Sequence, residues 1–270
     1  MEKQPDISEM IILLRGGGDI ATGTAWRLHH SGFKVVITEI GQPMAVRRTV
    51  AFCEAVYDGS AIVEGIEARL ARGTEEVVPI WEQGKIPLLV DSAADSKLVL
   101  KPHVLVDAIL GKKNLGTAMT DAPLVMGLGP GFEVGKDVHF IVETNRGHHL
   151  GRLLIRGSAE PNTGVPGPVQ GFTSERVLRA PAHGLFHNVL DIGDMVEPGD
   201  EVGSVSGKAV RAEIGGVIRG LIRPGINVSE GLKIGDVDPR GQRELCESIS
   251  EKALAIAGGV LEGILRHRSA

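Results

Sequence analysis

The sequence predicts an α/β protein whose first part carries a parallel sheet and whose second part is β-rich and ends in a helix. Three observations predict it. Short apolar runs alternate with helical stretches from Met10 to about Leu110, glycine-punctuated β-like segments take over beyond Thr117, and Ser248–Arg268 returns to helical spacing. Alternating β and α segments argue for a parallel sheet covered on both faces. With 37 glycines and 14 prolines in 270 residues, the chain uses these backbone breakers well above the average. The glycines have no three-residue period, so the excess means many tight turns rather than a collagen-like rod. A chain that is 42% hydrophobic and 23% charged is folded rather than disordered, and about 150 residues per domain sets an expectation of two domains.

In order, the strands expected are MIILLR from Met10, KVVITEI from Lys34, IPLLVDS from Ile86 and HVLVDAIL from His103, with helices over 19–31, 44–56, 62–72 and 76–84. Residues 1–115 form the α/β domain, 116–175 a glycine-rich β segment and loop, 176–242 a repeated β module, and 243–270 a C-terminal helix. A capping box Ser248-x-x-Glu251 opens that helix. Leu254, Ala257, Leu261, Ile264 and Leu265 share one face, and Gly258-Gly259 marks a close contact or a kink.

The strongest local signal follows the first strand. Gly16-Gly17-Gly18-Asp19-Ile20-Ala21 fits GxGxxA between a strand ending at Arg15 and a helix. Glycines there permit a tight turn and close backbone approach, and a helix N-terminus offers free N–H groups to phosphate. Glu39 closes the next strand, where an acidic side chain accepts from a ribose hydroxyl. These features make the first domain a Rossmann-like nucleotide-binding candidate. Asp19 works against it, because a carboxylate in the first turn caps the helix but repels a pyrophosphate. The alternative is a glycine loop that serves only the turn. Arg47-Arg48 form either a bidentate phosphate clamp or a solvated pair.

A second cluster, Gly127-Leu128-Gly129-Pro130-Gly131, follows an apolar strand, and its proline denies an immediate helix. Gly129 and Gly131 then belong to a loop that turns its backbone toward a ligand. Glu143-Thr144-Asn145-Arg146-Gly147-His148-His149 gathers an acid, an amide, a guanidinium and two imidazoles, which suits anion binding or acid/base work, or else a structural hairpin. Glu143, His148 and His149 are the candidate catalytic groups, and Asn145 and Arg146 candidate ligand contacts. Consecutive histidines in a strand face opposite ways, and no metal site is expected. Glu160–Pro168 reads as a loop covering a site or connecting elements. Asp236 and Asp238 suit a surface turn better than a cation site.

Sliding the sequence by 32 residues aligns 179–205 with 211–237, matching Gly184/Gly216, Gly193/Gly225, Gly199/Gly231 and Gly203/Gly235 and keeping Phe186/Ile218 and Val202/Ile234 apolar. Repeated glycines mean repeated turns, repeated apolar positions mean repeated strands, and two copies imply a closed two-fold sandwich. Gly193-Asp194-Met195-Val196-Glu197-Pro198-Gly199 resembles the GDxVxxG turn of biotinyl and lipoyl domains, a likeness that implies a barrel-sandwich hybrid. Carrier domains modify a lysine in the hairpin between the halves. Lys208 lies there without the flanking motif, and reads as a solvated hairpin lysine.

A net charge of −5 gives no attraction for nucleic acid or an anionic membrane. No apolar run is long enough to span a bilayer, and Met1–Glu9 is not a signal peptide, so a cytoplasmic protein is expected. Cys53 and Cys246 form no CxxC. Motifs GxSxG, HExxH and GxxxxGK[ST] are absent. With 3% aromatic residues, base stacking is not expected to drive recognition.

Together RGGGDIATGTAWRLHHSGFKVVITEIGQPMAVRRTVAFCEAVYDG, GLGPGF, ETNRGHHLGR, PNTGVPG, GLKIGDVDPR and SEKALAIAGGVLEGIL resemble the YqeB-type proteins of selenium-dependent molybdenum hydroxylase systems, along nearly the whole chain. The N-terminal half is also similar, in fold and glycine loop, to the Rossmann domain of XdhC-type chaperones, which help insert sulfurated molybdenum cofactor. The resemblance implies an accessory protein that acts in hydroxylase maturation. Its partners would be a molybdenum hydroxylase apoenzyme and a nucleotide-type small molecule, with a homo-oligomer compatible. The cofactor implied is the dinucleotide form of molybdenum cofactor, or NAD(P). Gly16, Gly17 and Gly18, with Asp19 and Ala21 opening the helix, would admit its phosphates, Glu39 its ribose and Arg47 or Arg48 a phosphate. The Asn145–His149 loop would face the reacting or partner end. Two other functions stay open: an NAD(P)-dependent oxidoreductase using His148 or His149, and a docking scaffold that binds no nucleotide.

Overall fold

Val, Ile and Leu dominate the central strands because those strands are buried on both faces. The computed structural model describes residues 5–162, 164 and 166–269. Its chain divides into two units, one from Met1–Pro43, Ala51–Asn162 and Ile249–Ala270, the other from Met44–Val50 and Thr163–Ser248. In chain order the larger unit runs β1 (Ile11–Arg15), α1 (Asp19–His30), β2 (Lys34–Glu39), α2 (Ala55–Asp58), β3 (Ser60–Val63), β4 (Ile66–Ala71), α3 (Val77–Glu82), β5 (Ile86–Val90), α4 (Lys97–Leu100), β6 (Val104–Asp107), β7 (Leu124–Leu128), β8 (Phe140–Val142) and β9 (Leu153–Leu154). These strands form one sheet in the order β3-β4-β5-β2-β1-β6-β7-β8-β9. Neighbours are parallel from β4 to β8, and β3 and β9 add antiparallel edges. The sheet thus continues past residue 115.

Two helices expected from the sequence are absent. Residues 62–72 form the β3–β4 hairpin, turned by Glu64 and Gly65 at φ of 44° and 83°; the apolar spacing there serves a two-residue turn with a glycine in the left-handed region. Residues 44–56 break into 3₁₀ turns at Arg48–Val50 and Phe52–Glu54, followed only by α2. The Phe52 N–H donates to Thr22 Oγ1 (2.8 Å) and the Cys53 N–H to the Gly17 carbonyl (2.9 Å), so donors that a continuous helix needs are spent beside α1.

The smaller unit contains β10 (Val177–Arg179), β11 (Gly184–Asn188), β12 (Met195–Val196), β13 (Glu201–Val205), β14 (Lys208–Arg211), β15 (Gly216–Leu221), β16 (Asn227–Val228), β17 (Lys233–Asp238) and α5 (Glu244–Glu247). Strands of the two repeat copies fall in register and interlock. One antiparallel sheet is β10-β17-β15-β12 and the other β14-β13-β11-β16, so each sheet mixes strands of both copies. Phe186 and Ile218 are fully buried at equivalent places, as are Val202 and Ile234. Gly193 and Gly225 both hold positive φ (95° and 80°), so the repeated glycine is a repeated backbone requirement. Lys208 is exposed beside the hairpin joining the copies. Asp236 and Asp238 are not surface turn residues. Both are buried, Asp236 against Arg176 (3.0 Å) and Asp238 against Arg240 (2.6 Å).

The last helix, α6 (Glu251–Arg268), belongs to the larger unit. Its cap is Ser250, whose side chain accepts from the Ala253 N–H (3.2 Å). Ser248 sits too early for the expected capping box and donates instead to the Glu244 carbonyl (3.1 Å). No α-helix connects β6 to β7 or β7 to β8, where only a 3₁₀ turn at Met119–Asp121 intervenes, and α6 packs beside α1 against β7, β8 and β9. The approach depends on small residues. A Cβ on Gly23 would meet Ala253, one on Gly259 the Gly151 carbonyl, and one on Gly263 the Met126 side chain. On the opposite face Leu13, Val36, Leu105, Val125 and Ile141 pack with Val77, Ile80 and Phe132.

Adjacent glycines of α6 therefore predict opposite outcomes. Gly259→Ala drives a methyl into backbone and lowers stability by about 1–3 kcal/mol. Gly258→Ala meets nothing nearer than Arg27 Nη1 at 3.8 Å and, by helix propensity, raises stability by up to about 1 kcal/mol. Thermal and urea unfolding of the two variants beside the parent checks both signs.

Candidate functional site

The chain leaves β1 toward β2, builds that side of the sheet, and returns to β6 on the other side of β1. Such a switch point, at the carboxyl ends of the strands, is where open parallel sheets bind ligands. The glycine loop lies there. Gly16, at φ 101°, donates to the Thr38 carbonyl (2.8 Å), and any Cβ on it would press on the Ala108 backbone. Gly17 is closed in by Cys53. Gly18 is the N-cap of α1, with nothing within 4 Å of a Cβ placed on it and no side-chain cap on the helix. Ala21 is fully buried in the same first turn. Two glycines thus serve packing, and the third opens the first turn of α1 to approach.

Glu39 projects from the end of β2 onto this loop. Its Oε2 accepts from the Gly17 N–H and its Oε1 from the Ile40 N–H, both at 2.8 Å; a carboxylate with about four acceptor sites keeps capacity after that. Beside it the Cys53 thiol is buried. Burial first, then Glu39, Glu54 and Asp19, push its pKa up, so it stays protonated and is no nucleophile.

Next to β1, Arg15 and Asp107 form a buried knot. Arg15 donates to Thr117 Oγ1 (2.8 Å) and to the Ser92 and Leu115 carbonyls, and Thr117 donates to Asp107 Oδ2 (2.6 Å). Burial raises the pKa of Asp107 more than Thr117, the Ile109 N–H and Arg15 lower it. This knot ties the 109–117 loop to the sheet edge.

Beyond β8, Glu143 is a buried tether. It accepts from the backbone N–H groups of Thr144, Asn145 and Glu160 at 2.7, 2.7 and 2.8 Å, and Asn145 donates to Glu160. Arg146 pairs with Glu251 at the start of α6 (2.6 Å). His148 and His149 stand exposed on the following turn, edge to face at 5.1 Å. Among the described residues no hydrogen bond orients either ring. Gly129 backs against Thr144 and Gly131 against the Lys113 backbone, so both glycines serve chain packing. Thr163 and Val165 of the 160–168 loop lie outside the described residues.

Arg47 and Arg48 belong to the smaller unit and are engaged within it. Arg47 donates to the Leu245 and Ser248 carbonyls, and Arg48 to the Leu221 carbonyl and to Asp191 (2.6 Å). Lys252, which sequence reading missed, belongs to the edge. It lies in the first turn of α6 and is electrostatically coupled to Asp19, Glu143 and Glu251. Burial, then Arg146, lower its pKa against the opposing pull of those carboxylates. No local motif announces it, because it reaches the edge only through the packing of α6 on α1. Among the described residues no group of three His, Cys, Asp or Glu side chains is placed to hold a metal, and no helix is long and apolar enough to cross a membrane.

These features define an α/β protein with a largely parallel sheet and an uncapped glycine-loop helix at its switch point. Over 255 residues, 94% of its length, the chain is 48% identical to the uncharacterized protein YqeB of Escherichia coli (strain K12). It spans about half (47%) of the length of that relative. No family model matches the chain. Solved structures give only faint likenesses. An aspartoacylase family protein of Mesorhizobium loti is 14% identical with 84% of either chain covered and a TM-score of 0.27, and the ectoine utilization protein EutE (DoeB) of Ruegeria pomeroyi 13%, 84% and 0.25. At such scores the likeness carries no inference.

Lys252 predicts a pH-dependent stability difference. The folded state holds its proton less tightly than the unfolded chain, so its charge costs stability at neutral pH, and the cost fades as pH rises toward the ordinary lysine value of 10.5. Lys252→Met is expected to raise the melting temperature at pH 7 and to raise it less at pH 9.5. An equal shift at both values excludes the buried charge as its cause.

Proposed function

We propose that the chain binds a nucleotide-type ligand at the Gly16–Ala21 loop and acts as an accessory protein in maturing a molybdenum hydroxylase. The observation that carries the binding reading is the uncapped N-terminus of α1 beside the open space at Gly18, at the switch point of the parallel sheet. Glu39, at the end of β2 with its Oε2 accepting from the Gly17 N–H, would accept from a ribose hydroxyl in this reading. Lys252, which interacts electrostatically with Asp19, supplies cationic charge that offsets the repulsion Asp19 exerts on phosphate. The maturation role and the selenium-dependent hydroxylase as partner rest on the sequence motifs that resemble those of YqeB-type proteins. In this reading the ligand is the dinucleotide form of molybdenum cofactor, the protein is cytoplasmic, and the interlocked repeat is a barrel-sandwich hybrid used for docking. The exposed, unoriented His148 and His149 favour this role over acid/base chemistry on NAD(P).

Equilibrium titration with molybdopterin cytosine dinucleotide, CTP, ATP and NAD(P)H tests the reading. Cytosine dinucleotide is expected to bind tightest, and Gly18→Val to weaken it by about a hundredfold or more, since the new side chain occupies the phosphate approach. Tight binding of nicotinamide nucleotide alone sinks the maturation reading, and unchanged affinity in a folded Gly18→Val protein removes this loop as the site.

A further inference from the structure

The opposite edge of the same sheet carries a cleft of about 470 Å³, within the range of small-molecule sites. It opens where β1 and β2 begin, with Ile11, Phe33 and Val78 among its walls and the Trp81 ring beside them. The ring is held in place, because its indole N–H donates to the Val35 carbonyl (2.6 Å). Val78 is 54% exposed, so its side chain is open to a ligand in the cleft.

The polar groups of the cleft are unequal. Lys85 is neutralised by Glu67 at 2.8 Å. Lys34 also lines the cleft and has no ion pair or side-chain hydrogen bond among the described residues. His29 adds no second positive charge, since burial and then the neighbouring His30 hold its pKa below the usual imidazole value. Glu82 lies on the lining as well, without an ion pair among the described residues, so an anion must seat on the Lys34 side, away from Glu82. An ammonium free of any ion pair, on a lining that also holds a fixed indole and aliphatic side chains, matches the carboxylate of a ligand with an apolar body.

We propose that this cleft is a second ligand site, selective for a small amphipathic carboxylate whose apolar body lies on Phe33, Val78 and Trp81 and whose carboxylate meets Lys34. A carboxylate there gains a charge-assisted hydrogen bond without breaking an existing pair, and its body covers surface that water now wets. The site is independent of the nucleotide reading, because none of its residues belongs to the glycine-loop edge.

The chain has two tryptophans, so Trp26→Phe leaves Trp81 as the sole indole reporter. Octanoate is expected to shift Trp81 emission saturably, with octanol and octylamine each binding about tenfold or more weakly. Lys34→Met, an exposed change at the start of β2, removes the advantage of octanoate over octanol, and Val78→Asp abolishes binding of both. Gly18→Val, at the other edge, leaves the titration unchanged. The proposal is overturned if octanoate gives no saturable shift, if octanol binds as tightly as octanoate, or if Lys34→Met, shown to be folded by its melting curve, binds octanoate as well as the parent.

Discussion

The larger unit depends on the contact between its last helix and the sheet that its first half builds. Parallel strands need cover on both faces, yet the connections from β6 to β8 contain no α-helix. α6 supplies the missing cover from the other end of the chain. It comes close enough only because Gly23, Gly151, Gly259 and Gly263 remove the side chains that would hold it off. The gain is apolar burial of Ile256, Ala257, Val260 and Ile264, and the cost is glycine in a helix interior, about 1 kcal/mol each. An exchange of this kind is favourable where a closer approach buries more than one methyl per glycine. It also brings Glu251 and Lys252 to the edge that holds the glycine loop.

At that edge the carboxylates are mostly consumed by the fold. Glu39 holds Gly17, Glu143 gathers three backbone N–H groups, and Asp107 is locked with Thr117 and Arg15. Each stops a loop from fraying where strand hydrogen bonding ends. Against so much internal satisfaction the unsatisfied groups stand out. The first N–H groups of α1 have no side-chain cap, and the Lys252 ammonium bears a desolvation cost without a hydrogen bond among the described residues. Both would be relieved by the same thing, an anion.

Local signals were legible in the sequence, and signals that depend on distant packing were not. The glycine loop, β1, α1, β2 and the 32-residue repeat are each encoded within one stretch, so spacing and turn chemistry reveal them. Ile62, Val63, Ile66 and Leu70 have helical spacing, yet Gly65 at φ 83° makes them a hairpin. Arg47 and Arg48 look like phosphate ligands by composition, but their neighbours in the fold are the carbonyls at the end of α5 and β15. Lys252 lies more than two hundred residues from the loop it approaches. Gly129 and Gly131 show the same ambiguity, since a glycine needed for ligand approach and one needed for chain packing leave the same mark in a sequence.

The shortage of aromatic rings bears on recognition as well as packing. Around the glycine loop the exposed large side chains are aliphatic: Ile40 beyond β2, Val90 at the end of β5, and Ile109, Leu110 and Leu115 beyond β6. The ends of β5, β2, β1 and β6 are joined by backbone hydrogen bonds from Asp91 to Glu39, Gly16 to Thr38 and Ala108 to Arg15, so these side chains border one edge. A flat ring held there is gripped by branched methyl groups, which give burial energy with little preference among bases. Discrimination must then come from polar groups at the ring's perimeter or from the ligand's other end. In the proposed nucleotide reading, such an edge would hold a shared phosphate and ribose portion and leave selectivity to whatever the rest of the ligand meets.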